Sequence, residues 1–176
     1  MKYKSITISG PIASGTTTAA KGVAEKLGLE YHSAGDFFRQ YALEHNIPLW
    51  AKEEIPDDVD RAIDKEMTDL AASDKQVMID SLYAGYFTRK ISHVLKVLLT
   101  CDENVRIKRA LERVSTHQET AADVRKRDAA HDIKFRKLYA NENFLDPKFF
   151  DMVIDTTDTT VEETADKIVQ KFKGEN

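Results

Sequence analysis

Near the amino terminus the residues Gly10-Pro11-Ile12-Ala13-Ser14-Gly15-Thr16-Thr17 carry the spacing Gly-x4-Gly. A glycine turn of this kind, entered from an extended run and left through a helical one, lets successive backbone N–H groups converge on one point. The positive end of the following helix adds to their field. A phosphate chain is the ligand that suits such a turn, with Gly10, Ala13, Ser14, Gly15, Thr16, Thr17 and Thr18 as its lining. Thr17 occupies the position whose hydroxyl binds Mg²⁺ in such loops. The lysine that ordinarily follows the second glycine and reaches the β- and γ-phosphates is replaced by Thr16. Charge on a γ-phosphate must then be met by other cations, magnesium and arginines on a mobile segment. Lys21 lies about one turn beyond Thr17, where it can serve as a solvated helix residue or touch a phosphate.

Three further groups have chemistry-bearing spacing. In Ser33-Ala34-Gly35-Asp36-x-x-Arg39 the arginine falls three residues after an acid that can cap a helix, so its guanidinium can swing over a strand-end crevice and grip phosphate bidentately. Asp80 ends an apolar run and points an acid into the same region. Arg106, Arg109 and Arg113 recur at i, i+3 and i+7, a stripe of three guanidinium groups, with Val105, Ala110, Leu111 and Val114 left to face a core. Surface pairing of the stripe with Glu103 and Glu112 is the alternative. His131-Asp132 has no second His/acid cluster to complete a metal site, and no Ser/His/Asp or Cys/His set with a local signature is present.

Positioning these groups requires a particular alternation. Tyr3 to Ser9 reads as a strand, Thr17 to Leu27 as a helix stopped by Gly28, Glu30 to His32 as a second strand, and Phe37 to about His45 as a second helix. Asp58 to Ala72 is a long helix. Gln76 to Asp80 and His93 to Thr100 are strands of the kind buried on both faces, Asp151 to Asp155 a fifth strand, and Val161 to Phe172 a closing helix. Five strands alternating with helices predict an α/β fold, an open five-stranded parallel sheet flanked by helices, with ligands at the carboxyl ends of the strands.

The 176 residues, 41% hydrophobic and 32% charged, suit one domain. Net charge is -4, which argues against nucleic acid or an anionic membrane as partner. Positive charge is local: Asn104 to Lys137 holds ten Lys/Arg against five Asp/Glu, so that segment is +5 and the remainder -9. A small anionic ligand fits that distribution. A single cysteine, Cys101, excludes an internal disulfide and suits a reducing compartment; with no leader pattern and no apolar run of membrane length, the expected location is cytoplasmic.

The stretch ITISGPIASGTTTAAKGVAEKLGLEYHSAGDFFR resembles the opening of the archaeal-type cytidylate kinases, P-loop nucleoside monophosphate kinases that also carry a threonine-rich loop without the lysine. The likeness continues through Asp60-Arg61-x-x-Asp64, Asp102-x3-Arg106-x2-Arg109 and the terminal IDTTDTTVEE. It implies transfer of the γ-phosphoryl group of ATP, with Mg²⁺, to CMP or dCMP as small-molecule nucleotide substrate. It further implies acceptor-binding helices over about 36–72, a helical lid over about 104–138 with its tip at Val114 to Thr120, and a monomer or weak dimer. By resemblance, Ser33, Gly35, Asp36, Arg39, Asp80, Gly85 and His131 bind the acceptor, and Arg109, Arg113 and Arg127 act on the transferring phosphoryl group.

The chain departs from that pattern at the acceptor. Leu82 stands where the family has an arginine, for which Arg89 could substitute. On the returning lid helix the family's Arg, acid four later and Arg seven later become Arg127, His131 and Lys134, a register supported by Phe135 and Tyr139 at the family's aromatic pair, although a one-residue slip would bring Asp132 near the base. A neutral histidine does not reproduce a carboxylate that accepts from the exocyclic amine of cytosine. Two alternatives therefore stay open: a kinase of this fold acting on another nucleotide or small metabolite, and a nucleotide-binding regulatory protein with little turnover.

Overall fold

The computed structural model describes residues 2–112 and 119–175. Strands β1 (Ser5–Ser9), β2 (Glu30–Ser33), β3 (Val77–Asp80), β4 (Val94–Thr100) and β5 (Met152–Asp155) form one parallel sheet in the order β2-β3-β1-β4-β5. Each crossover carries helix: α1 (Thr16–Leu27), α2 (Ala34–Glu44) and α3 (Asp57–Ala72), α4 (Ala84–Phe87), α5 (Glu103–Glu112) and α6 (Ala121–Leu138), with α7 (Val161–Lys173) closing the chain. Short 3-10 turns lie at Lys52–Glu54 and Pro147–Phe149. β1 sits between β3 and β4, so the loops leaving β1 and β3 open side by side on the carboxyl edge of the sheet.

Two cores flank the sheet. Ile6 and Ile8 join Leu95, Val97 and Leu99 against Ala19, Ala20, Val23 and Ala24 of α1 and Ala165, Ile168 and Phe172 of α7. Val77, Ile79 and Val94 pack on the other face against Ile63, Met67 and Ala71 of α3 and Ala84 of α4. Burial of each large aliphatic here stabilises by about 1.5–3 kcal/mol. Ser5 and Ser9 of β1 are polar yet fully buried, and each donates to a carbonyl, Lys75 O at 2.9 Å and Ser81 O at 2.7 Å.

Helix ends follow local chemistry. α1 stops at Gly28, whose φ of 66° is the left-handed conformation that glycine adopts without penalty and whose N–H returns to Ala24 O. Thr120 with Asp123 and Thr160 with Glu163 form reciprocal capping boxes that start α6 and α7. α2 begins at Ala34, three residues before the predicted start, because Ser33 is its N-cap and accepts from the Asp36 N–H at 3.1 Å. Asp36 is therefore a first-turn acid rather than the cap. The expected face of α5 also changes: Arg106, Ile107 and Ala110 are buried, whereas Leu111 is half exposed.

Candidate active site

The glycine turn is built as its spacing predicts. Gly10 is closed in on two sides; a methyl group there would meet Ser14 Oγ and come within 2.6 Å of the Leu99 carbonyl. Ala13 and Gly15 take positive φ values of 63° and 96°, which rotate the peptide N–H groups inward. Gly15 is the N-cap of α1 and offers no side-chain cap, so the first N–H groups of that helix are left for a ligand. Ser14 Oγ is buried without a partner among the described residues.

Carboxylate and hydroxyl chemistry stands beside the turn. Thr17 Oγ1 donates to Asp80 Oδ2 at 2.7 Å, and Tyr31 Oη donates to the same oxygen at 3.1 Å. Burial raises the Asp80 pKa, opposed by the hydrogen bonds from Thr17, Tyr31 and Thr16 and by the Arg39 charge. A hydroxyl and an acid with oxygen donors only, next to a phosphate turn, fit a magnesium ion that completes its shell with phosphate oxygens and water. Lys21, on the first turns of α1, lies 5.5 Å from the Tyr31 ring centre.

From this turn a crevice runs past α2 to the middle of α6. Its walls include Thr16, Thr17 and Asp80 at the mouth of the loop, Gly35 and Arg39 from α2, Lys52 from the first 3-10 turn, Asp64 from α3, Leu82 and Tyr83 after β3, and Arg127 and His131 from α6. Arg39 pairs with Asp36, and Arg127 makes a two-pronged contact with Glu119 at 2.6 and 2.8 Å. Both guanidinium groups face the crevice already matched with a carboxylate, the charge pattern that a phosphate would compete for.

The floor beyond Arg127 is ionic and buried. Lys52 pairs with Asp60 and lies 3.5 Å from the Phe38 ring centre; burial lowers its pKa while Asp60 raises it. Lys134 donates to Ile55 O and to Asp57, both at 2.7 Å, with Asp60 at 3.4 Å. Asp57, also held by Lys137, is drawn down to about 2 by the Lys134 and Lys137 hydrogen bonds. Asp64 accepts from Tyr139 Oη at 2.7 Å, and burial pushes its pKa up to about 6. The His131 imidazole is held well below its usual range by burial and by the Lys52 and Arg127 charges, so it is neutral at physiological pH.

Several expected site residues lie elsewhere. Gly85 is behind the crevice, its N–H on Ser9 Oγ at 3.2 Å and its Cα against the Phe150 ring, so its smallness serves packing. Thr18 is exposed. Arg106 does not face a phosphate: it is buried and donates at 2.8 Å to both Ile12 O and Asp128 Oδ2, while Asp128 accepts from the Ile12 N–H at 3.1 Å. The pair ties α5 and α6 to the glycine turn. Arg109 is turned toward the end of β5, donating to Thr156 O at 2.7 Å and contacting Cys101 Sγ at 3.3 Å. Thr156 in turn donates to Ser14 O at 2.7 Å. Arg113 and most of Val114 to Thr120 are outside the described residues. Arg89 does not replace the absent arginine, since it donates to Tyr86 O and stacks on the Tyr86 ring. Lys134 is consumed by the buried network.

Sequence reading gave Lys52 and Tyr83 no role and Asp64 none beyond the resemblance. A signal was available for Asp64. It shares with Asp60 the apolar stripe Ile63, Met67 and Ala71 of α3, where an acid is costly unless it has a purpose.

A parallel sheet of this order, with a glycine turn opening the helix behind β1 and a crevice along its carboxyl edge, defines the fold of small P-loop kinases. A solved gluconokinase from Sinorhizobium meliloti superposes with a TM-score of 0.66 over 99% of this chain and 94% of its own, at 16% identity. A sequence profile described as the cytidylate kinase-like family matches residues 33–158. A cytidylate kinase from Sulfolobus acidocaldarius is 33% identical over 97% of this chain and 95% of its own length. Another, from Archaeoglobus fulgidus, is 43% identical over 61% of either chain. The chain belongs to the cytidylate kinase-like family and is a nucleotide kinase. Among the described residues no helix is long and apolar enough to cross a membrane.

Proposed function

We propose that the protein transfers the γ-phosphoryl group of Mg·ATP to CMP or dCMP. The observation that carries this reading is the single crevice joining the uncapped glycine turn to Arg39, Arg127, Asp64 and His131, so donor and acceptor phosphates meet without a protein nucleophile between them. Backbone N–H groups from Gly15 to Thr18 cradle the donor phosphates, that of Ser14 being held by the Pro11 carbonyl at 3.0 Å. Thr17, with Asp80 beside it, holds the magnesium ion, which when bound supplies positive charge against the phosphate oxygens. Arg39 and Arg127 exchange Asp36 and Glu119 for the acceptor phosphate and face the charge that develops in transfer. An acceptor phosphate oxygen is the attacking group.

In this reading the whole chain is one kinase domain, with acceptor-binding helices over about 36–72 and a lid over about 104–138. Closure brings Arg113, and Arg109 once it leaves the Thr156 carbonyl, toward the phosphates and excludes water. The protein acts in the cytoplasm as a monomer or weak dimer. A second reading, a kinase for another nucleotide, draws on Leu82 in the crevice wall and on Lys134 being bound beneath it. Release of ADP from Mg·ATP, coupled to NADH oxidation and measured with CMP, dCMP, UMP, AMP and GMP, tests both. Turnover with CMP or dCMP foremost is the expected result; turnover confined to UMP, AMP or GMP selects the second reading.

A further inference from the structure

Two phenols at the inner end of the crevice each orient one hydrogen-bond acceptor. Tyr139 Oη donates to Asp64 Oδ2 at 2.7 Å, and Asp64 Oδ1 makes no hydrogen bond among the described residues although the side chain lines the crevice. Tyr83 Oη donates its one proton to the His131 carbonyl at 2.9 Å and lies 3.4 Å from His131 Nδ1. With that proton committed, the phenol oxygen can only accept from Nδ1, so Nδ1 carries the imidazole proton and Nε2 is a bare acceptor. Nε2 has no partner among the described residues, and His131 also lines the crevice. Tyr83 and Tyr139 pack edge to face, with ring centres 6.3 Å apart, which holds the two devices together.

We propose that Asp64 Oδ1 and His131 Nε2 read the acceptor base by accepting from an exocyclic amino group, so that a cytosine is selected over a uracil. This deepens the acceptor assignment made above and rests on it. The carboxylate missing from position 131 is supplied from α3 instead. A uracil presents a carbonyl oxygen where cytosine presents its amine, and two acceptors facing that oxygen leave all three groups desolvated and unpaired.

Asp64 is faced by Asp60 from its own helix, Lys52 from the 3-10 turn, Tyr139 at the carboxyl end of α6 and Tyr83 from the segment after β3, and it shares the crevice wall with His131. Its burial-raised pKa of about 6 makes it a carboxylate at pH 8 and largely a hydroxyl donor at pH 5, while burial and the Lys52 and Arg127 charges hold the His131 imidazole well below its usual range. Discrimination against uracil therefore weakens as pH falls through about 6. The acceptor phosphate titrates in the same interval, but it is common to both nucleotides, so the ratio of their affinities isolates the base.

Equilibrium binding of CMP and UMP, by titration calorimetry of the full chain at pH 8 and pH 5, tests this without requiring turnover. Wild type is expected to prefer CMP by about tenfold or more at pH 8 and by clearly less at pH 5. Asp64→Asn should narrow the pH 8 ratio and abolish its pH dependence, and Tyr83→Phe, a positioning change, should narrow the ratio while ATP affinity is kept. Equal affinity of wild type for CMP and UMP, no binding of either, or an unchanged ratio in Asp64→Asn overturns the proposal. CMP preference without phosphoryl transfer leaves it standing and rejects the kinase assignment instead.

Discussion

Asp64 is expected to cost stability at neutral pH. The residue is 5% exposed, and its pKa rises from 3.8 to about 6 on folding, mainly through burial. The folded state then holds more protons than the unfolded one between about pH 4 and pH 6, so stability falls as pH rises through that window and the loss is complete above about pH 7. A rise from 3.8 to about 6, at about 1.36 kcal/mol per pH unit, places the cost of the ionised form near 3 kcal/mol. Asp64→Asn keeps the shape and an oxygen for Tyr139 but cannot ionise. At pH 8 it should be more stable by about 1–3 kcal/mol, which for a chain of this size raises the Tm by roughly 3–10 °C. Near pH 4 the gain should vanish, because the wild-type carboxyl is then protonated in the folded protein and half protonated in the unfolded one. Thermal unfolding followed by circular dichroism at the two pH values is the assay. Equal gains at both, or a loss at pH 8, would refute the assignment of Asp64 as an acid held in the core against its solvation preference.

Three further outcomes follow from the site. Thr17→Val removes the hydroxyl beside Asp80 and should lower kcat on the order of 10²-fold with Mg·ATP, while calorimetry shows metal-free ATP binding little changed. Arg39→Ala should reduce kcat/KM for the acceptor about 10- to 100-fold and leave the KM for ATP within about twofold, since the guanidinium faces the acceptor side of the crevice. Arg106→Ala leaves Asp128 on the Ile12 N–H without its buried partner; a loss of about 2–3 kcal/mol by urea unfolding is expected, with weaker ATP binding because the glycine turn loses its tie to α5.

Much of the fold was legible because local signals agreed. Gly28 ends α1 where periodicity stops, the apolar runs at 77–80 and 94–100 are the central strands, and all five strands are present and parallel. The glycine turn was legible for the same reason: its φ values and its uncapped helix are properties of neighbouring residues. Partner choice between distant elements was not legible. The i, i+3 spacing put Arg106 and Arg109 on one stripe but could not show that Asp128, twenty-two residues on, would bury the first, nor that Thr156 would take the second. Arg89, near in sequence to the absent arginine, is claimed by Tyr86. Asp64 and His131 reach one crevice from distant parts of the chain, held by Tyr139 and Tyr83, and the tautomer of His131 depends on where one phenol proton goes.

Direct transfer between two nucleotides in one crevice is tested most simply by the identity of the products. Protein incubated with Mg·ATP and CMP, with nucleotides separated by ion-exchange chromatography and phosphorus followed by NMR, should yield CDP and ADP in equal amounts, and neither should form without the acceptor. ADP accompanied by inorganic phosphate, with CMP recovered unchanged, would contradict the account.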